Sequence, residues 1–249
     1  MEFTYKAYER MINQLANHNY IFSDYFSWEK RPRCVILRHD IDKDIEKAVK
    51  LAEIENKLRI SSTYFVLVTS EFYNVFSKRS RKQLKQIRDM NHEIGLHFDE
   101  VQYSEANGNI NYIRQRILDE SALLGEAIGE KIRTVSMHRP SRMVLDADMS
   151  IPGMINSYSM KFFHDFKYLS DSRRHWREPV EGIIEKEEFE RLHILTHPFW
   201  YADEESDISK TVKTFINCGS LSRYRAMKEN ITDLESIVAQ DQIGGICKN

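Results

Sequence analysis

Between Cys34 and Thr196, short runs of apolar and β-branched residues alternate with longer stretches of helical periodicity, which restricts the chain to a small group of α/β folds. Cys34-Val-Ile-Leu reads as a buried strand ending at Arg38-His-Asp-Ile-Asp. Residues 44–57 place Ile45, Ala48, Val49, Ala52 and Ile54 along one side of a helix, and 61–68 read as a second strand. The order repeats with a basic amphipathic helix over 81–90, a strand over 92–98, a long helix over 110–128 and a strand over 132–137. Strands are also expected at 166–169 and 192–196, with a closing helix within 209–237. Such repeated units predict a parallel sheet, doubly wound or closed into a barrel. No internal repeat or linker divides the chain, and α/β barrels of this length fold as one unit. A single domain over 1–249 is therefore expected, with 1–31 as an N-terminal helical lead-in and 205–249 as a C-terminal helical segment.

Lys and Arg number 36 against 38 Asp and Glu, a formal charge of -2, so no global field draws in a phosphate backbone and nucleic acid is not expected as a partner. The first twenty residues carry Glu2, Lys6, Glu9 and Arg10, which interrupts any signal-peptide core. No uncharged apolar run reaches the roughly 18 residues of a membrane span, so a cytoplasmic location is expected. Cys34, Cys218 and Cys247 lie far apart and read as reduced structural thiols rather than a thiolate metal site.

In parallel α/β proteins the loops after the strands project side chains over one rim, where active sites gather. Asp40 and Asp42 close the first strand of the series, His97 and Asp99 a later one, His138 and Arg139 the next, and His197 follows the last. Period-two alternation points Asp40 and Asp42 to one side and His39 and Ile41 to the other. A zinc-like ion takes about three nitrogen or oxygen ligands and keeps a position open for water. One Asp and two His satisfy that, leaving the second Asp to take a proton. The plainer reading of Asp42 is a helix N-cap, since a helix begins just after it. His18, His92, His164, His175 and His193 lack this context and read as structural or surface residues.

The motifs resemble those of the polysaccharide deacetylases, carbohydrate esterase family 4, especially divergent members associated with bacterial surface-glycan biosynthesis. The resemblance spans roughly Cys34 to Tyr201. Val35-Ile-Leu-Arg-His-Asp-Ile-Asp is similar to the first motif, His92-Glu-Ile-Gly-Leu-His-Phe to the second, and Met137-His-Arg-Pro-Ser to the third. Leu169-Ser-Asp-Ser with Trp176 resembles the fourth, and Ile194-Leu-Thr-His-Pro the fifth. The resemblance implies a distorted, incomplete (β/α) barrel and a divalent metal, zinc, held by Asp42 and His97. It implies Asp40 as general base, His197 as general acid, and Arg139 and Asp171 as supporting residues, Arg139 orienting the catalytic aspartate. Two departures stand out: Ile41 separates aspartates that the family has adjacent, and Val101 occupies the place of its second metal histidine. His138 is taken as the substitute ligand, with Asp99, His39 or His197 as the other candidates. The implied activity is a metal-dependent amide hydrolase releasing acetate from an amino sugar or sugar nucleotide in glycan biosynthesis. A glycan-binding or scaffolding protein on the same fold, with aromatics such as Phe98, Tyr103, Trp176, Phe199, Trp200 and Tyr201 as stacking surfaces, is the alternative; a hydrolase of cyclic amides or formyl groups is a third.

Overall fold

In the computed structural model, which describes residues 1–243, the longer helices begin where a polar side chain accepts a hydrogen bond from the first turn. Thr4 caps α1 (Tyr5–Asn17), Asp44 caps α2 (Ile45–Lys57), Ser77 caps α3 (Lys78–Asp89) and Asn109 caps α4 (Ile110–Ile128). The strands are β1 (Ile21–Ser23), β2 (Cys34–Ile41), β3 (Thr63–Leu67), β4 (Glu93–Phe98), β5 (Thr134–Met137), β6 (Ile155–Asn156), β7 (Lys167–Ser170) and β8 (Arg191–Thr196). Short helices α5 (Arg142–Asp146), α6 (Met160–His164) and α7 (Val180–Lys186) fill the later connections.

By internal contacts the chain forms two units, 1–201 and 202–249. The second holds α8 (Ile208–Lys228), capped by Asp207, and α9 (Leu234–Ile237). The closing helix expected over 209–237 is thus broken after Lys228, and the Tyr224 hydroxyl, 2.9 Å from Glu235 Oε2 and 2.8 Å from Val238 O, ties the second piece back to the first. Cys34 is a buried free thiol, but Cys218 is disulfide-bonded, which corrects the reading of it as reduced; Cys247 lies outside the described residues. No helix among the described residues is long and apolar enough to cross a membrane.

The first unit is α/β, built on a curled, parallel sheet in the order β6-β5-β4-β3-β2-β8-β7 with helices around it. No ladder joins β6 to β7 among the described residues, so the barrel is incomplete. β8 pairs with β2 from Cys34 to His39 on one side; on the other, β1 covers Cys34 to Ile36 and β3 covers Arg38 to Ile41. All eight residues of β2 are buried. Its two faces meet different layers. Val35 and Leu37 face outward and pack with α1 and α7, whereas Cys34 and Ile36 join Tyr25, Trp28, Phe65, Phe162 and Phe166 in the inner core. Of the aromatics that might stack on sugars, Phe98, Phe199 and Tyr201 are buried, which leaves Tyr103, Trp176 and Trp200 partly exposed.

The outer face of β2 carries a polar network under α2. His39 Nδ1 lies 2.7 Å from Thr196 Oγ1, its partner in register on β8, and His39 Nε2 lies 2.9 Å from Glu55 Oε1 of α2. Tyr8, Ser62 and Tyr64 donate to the same carboxylate at 2.5, 2.7 and 2.6 Å. Burial alone would raise the Glu55 pKa, but the adjacent His39, then His92 and the Tyr64 hydroxyl, bring it down to about 2.

Two predictions follow from this packing. Gly95 faces the inner core, where an added Cβ would meet Phe65 Cε1 at 2.5 Å and Thr134 Oγ1 at 2.6 Å. Gly95→Ala should therefore destabilise by about 1–3 kcal/mol in denaturant unfolding, as overpacking does. A depressed carboxylate stabilises the fold above its unfolded pKa and loses that contribution as pH falls through the folded value. Glu55 should accordingly supply roughly 3 kcal/mol above pH 4.5 that disappears toward pH 2, the ordinary value being 4.5 and the folded one about 2. Glu55→Gln should flatten this acid limb of the stability–pH curve; an unchanged limb would place the acid sensitivity elsewhere.

Candidate active site

The alternation that sends His39 outward turns Arg38 and Asp40 inward, and Asp42, just past the end of β2, continues on their side. His97 arrives on β4. His138 follows β5 and extends its ladder, its backbone N–H donating to Phe98 O at 2.8 Å. These positions bring three ligand atoms, from Asp42, His97 and His138, within 4.8 Å of one another. Asp42 Oδ1 is 3.3 Å from both His97 Nε2 and His138 Nδ1, and the two nitrogens are 2.9 Å apart. Donors bound at about 2.1 Å around a tetrahedral ion stand roughly 3.4 Å from each other, so the three atoms are spaced like three of its corners.

Asp42 Oδ1 is buried without a hydrogen-bond partner, because both imidazoles approach it without the alignment of a hydrogen bond. Burial acts to raise the Asp42 pKa, and the facing His138 and His97 outweigh it, holding the carboxyl well below its usual range. A buried anionic oxygen with two nitrogen donors beside it is a set that fits a divalent cation. The second nitrogen of His97, Nδ1, lies 3.2 Å from Ser136 Oγ, which fixes the ring. The N-cap reading of Asp42 fails, since Asp44 accepts from Glu46 N and Lys47 N in that role.

Asp40 and His197 flank the cluster. Asp40 Oδ2 is 3.7 Å from His97 Nε2, and both Asp40 oxygens are held by Arg38 Nη2 at 2.9 and 2.7 Å. Burial would raise the Asp40 pKa, but the Arg38 guanidinium and then His97 keep it lowered, holding the carboxyl as the anion. His197 Nδ1 lies 2.6 Å from Asp171 Oδ1, and Asp171 also accepts from the His197 backbone N–H. Burial would lower the His197 pKa, yet the Asp171 carboxylate, with Asp42 and Asp40 beyond it, raises it to about 9. At neutral pH this ring is a cation with a proton to give.

The other candidates go elsewhere. Arg139, which the resemblance assigns to the catalytic aspartate, instead binds Asp99: its Nε donates at 3.3 Å and its Nη2 makes a shorter contact, while 55% of the side chain stays exposed. Asp99 is thereby occupied as a ligand candidate, His39 lies on the opposite face of the sheet, and Val101 is 56% exposed. The sequence reading passed over Arg38, Ser136 and Ser157, which meet inside the sheet. The signal for Arg38 was present: it sits two residues before Asp40 on the same face of a strand otherwise apolar up to that point.

No protein-family model matches the chain, and no curated protein matches it. Several of the solved structures it resembles are carbohydrate esterase family 4 proteins. A CE4 family pseudoenzyme from Bacillus anthracis aligns at 19% identity over 85% of this chain and 66% of that one, with a TM-score of 0.44. The chain thus spans just under two thirds of that protein's length. A family 4 acetyl xylan esterase from Clostridium thermocellum, in complex with a cobalt ion, aligns at 14% identity over 82% and 90% with a TM-score of 0.45. A polysaccharide deacetylase from Bacillus cereus aligns at 14% identity over 71% and 93% with a TM-score of 0.44. With every TM-score below 0.5, none of these carries a role across to a residue of this chain.

A group whose pKa is raised on folding contributes stability below its unfolded value and loses it as pH rises through the folded one. For His197 that window runs from 6.5 to about 9. Asp171→Asn should bring its titration, followed by NMR of the imidazole, down from about 9 toward 6.5. A midpoint unmoved by the substitution would show that Asp171 is not what raises it.

Proposed function

We propose that this chain is a metal-dependent amide hydrolase that removes an acyl group, acetyl foremost, from an amino sugar or sugar nucleotide in glycan biosynthesis. The observation that carries the reading is the convergence of Asp42 Oδ1, His97 Nε2 and His138 Nδ1 within 4.8 Å, with an ionised Asp40 on one flank and a protonated His197 on the other. A divalent cation held by Asp42, His97 and His138, zinc by the nature of the donors, would lower the pKa of water and polarise the amide carbonyl. Asp40 accepts the proton of the attacking water on its carboxylate. His197, its Nδ1 engaged by Asp171, donates from Nε2 to the departing amine. Two titratable groups whose surroundings push their pKa values apart are what an acid–base pair at neutral pH requires.

The substrate panel has to include free, polymeric and nucleotide-linked N-acetyl amino sugars. A cytoplasmic site of action would favour the nucleotide-linked sugars.

Asp42→Ala and His97→Ala should each abolish stoichiometric zinc binding, measured by elemental analysis; wild-type content in both variants would remove the metal assignment. Asp40→Asn should keep its metal and lose roughly 10² to 10⁴-fold in kcat, the range of one acid–base contribution. His197→Ala should match that loss on an amide and lose less on an activated ester, whose leaving group needs little protonation. Tight sugar binding with no acetate release under zinc, cobalt or nickel would leave a glycan-binding protein in place of the hydrolase.

A further inference from the structure

Asp40 is 3% exposed, and a base buried that deeply works only if something fixes the direction of its carboxylate. Arg38 is the group that touches it. It stands two residues earlier on β2, on the same face, so the pleat of the strand aligns the two side chains. The guanidinium is fully buried. Its Nη2 reaches both Asp40 oxygens and Ser136 Oγ, its Nη1 donates to Ser157 Oγ at 2.9 Å, and Phe65 and Tyr158 cover it with ring centroids at 5.0 and 5.1 Å. Ser136 lies beside His97 Nδ1 as well, so one hydroxyl links the support of Asp40 to that of the metal-facing histidine. Arg139, by contrast, is committed to Asp99.

We propose that Arg38 is the positioning residue for Asp40, taking from within β2 the part that the resemblance gives to Arg139. This rests on the reading of Asp40 as the base. Arg38 touches neither substrate nor metal; it acts by holding the carboxylate toward the cluster of Asp42, His97 and His138.

The test compares Arg38→Lys, Arg38→Ala and Arg139→Ala in the full chain loaded with zinc. Lysine keeps the charge but cannot span both carboxylate oxygens and the two serines. Arg38→Lys should lose about 10²-fold in kcat, the scale of a misplaced catalytic group, with KM and zinc content close to wild type. Guanidinium added to Arg38→Ala should restore part of the lost kcat, and Arg139→Ala should lose less than about tenfold. Crystal structures of wild type and Arg38→Lys give a readout independent of turnover: the Asp40 carboxylate should swing away from His97 while Asp42, His97 and His138 keep their places. If Arg38→Ala does not fold, Arg38→Lys alone decides. Wild-type kcat in Arg38→Lys, a larger loss in Arg139→Ala, or an Asp40 carboxylate unmoved without the guanidinium would each overturn the proposal. A wild-type protein that releases no acetate would refute the deacetylase reading instead, and the crystallographic comparison would still decide for or against Arg38.

Discussion

A charge taken out of water has to be met by an opposite charge or by hydrogen bonds, and the first unit meets this demand twice, once on each side of β2. Inside, Arg38 and Asp40 are both buried and face each other. Outside, Glu55 is fully buried and gathers His39, Tyr8, Ser62 and Tyr64. Much of the surrounding sequence can be read as an answer to these two needs. Ser136 and Ser157 occupy positions that would otherwise suit apolar side chains, because the guanidinium has donors left after reaching Asp40. Phe65 lies over the same guanidinium, and Gly95 is glycine because the Phe65 ring leaves no room for a Cβ.

The same electrostatics sort the polar residues of the rim into different tasks. Asp40 and Asp42 are both anionic, but Asp40 has its oxygens occupied by an arginine whereas Asp42 keeps a buried oxygen with no hydrogen bond. On the proposed reading that contrast marks Asp40 as the base and Asp42 as the ligand, where spacing alone left the two interchangeable. His97 and His197 are likewise both imidazoles at strand ends, yet one turns its second nitrogen to a serine and the other to a carboxylate. On the proposed reading the serine fixes the ring of a metal-facing histidine, and the carboxylate raises the proton affinity of the acid.

What could be read beforehand was what depends on local pattern. The helix over 110–128 has the bounds expected of it because its periodicity is long and Asn109 and Gly129 punctuate its ends. β1 and β6, with three and two residues, are too short to show any period, and they exist because β2 and β5 offer free ladder positions to them. The strand-end residues were visible as a set, since alternation and the direction of a parallel sheet decide which of them share a rim. Their partners were not. Arg139 sits in the motif position that suggested it would hold an aspartate, and it does hold one, but Asp99 rather than Asp40. Glu55 drew no reading at all, because its role comes from Tyr8 and His39, 47 and 16 residues away in the sequence.

One consequence of the two-sided burial of β2 concerns how the chain avoids mispairing. In most strands a slip of one residue exchanges the core face for the solvent face, and the cost is lost apolar contact. β2 has no solvent face, so that safeguard is missing, and Val, Ile and Leu would tolerate either side. The charged residues supply the discrimination instead. A slipped β2 would push Asp40 against the carboxylate of Glu55, bring His39 beneath the rings of Phe65 and Tyr158, and take Arg38 away from Ser136 and Ser157. The polar groups that equip the rim for chemistry therefore also act as the key that admits only one alignment of the central strand.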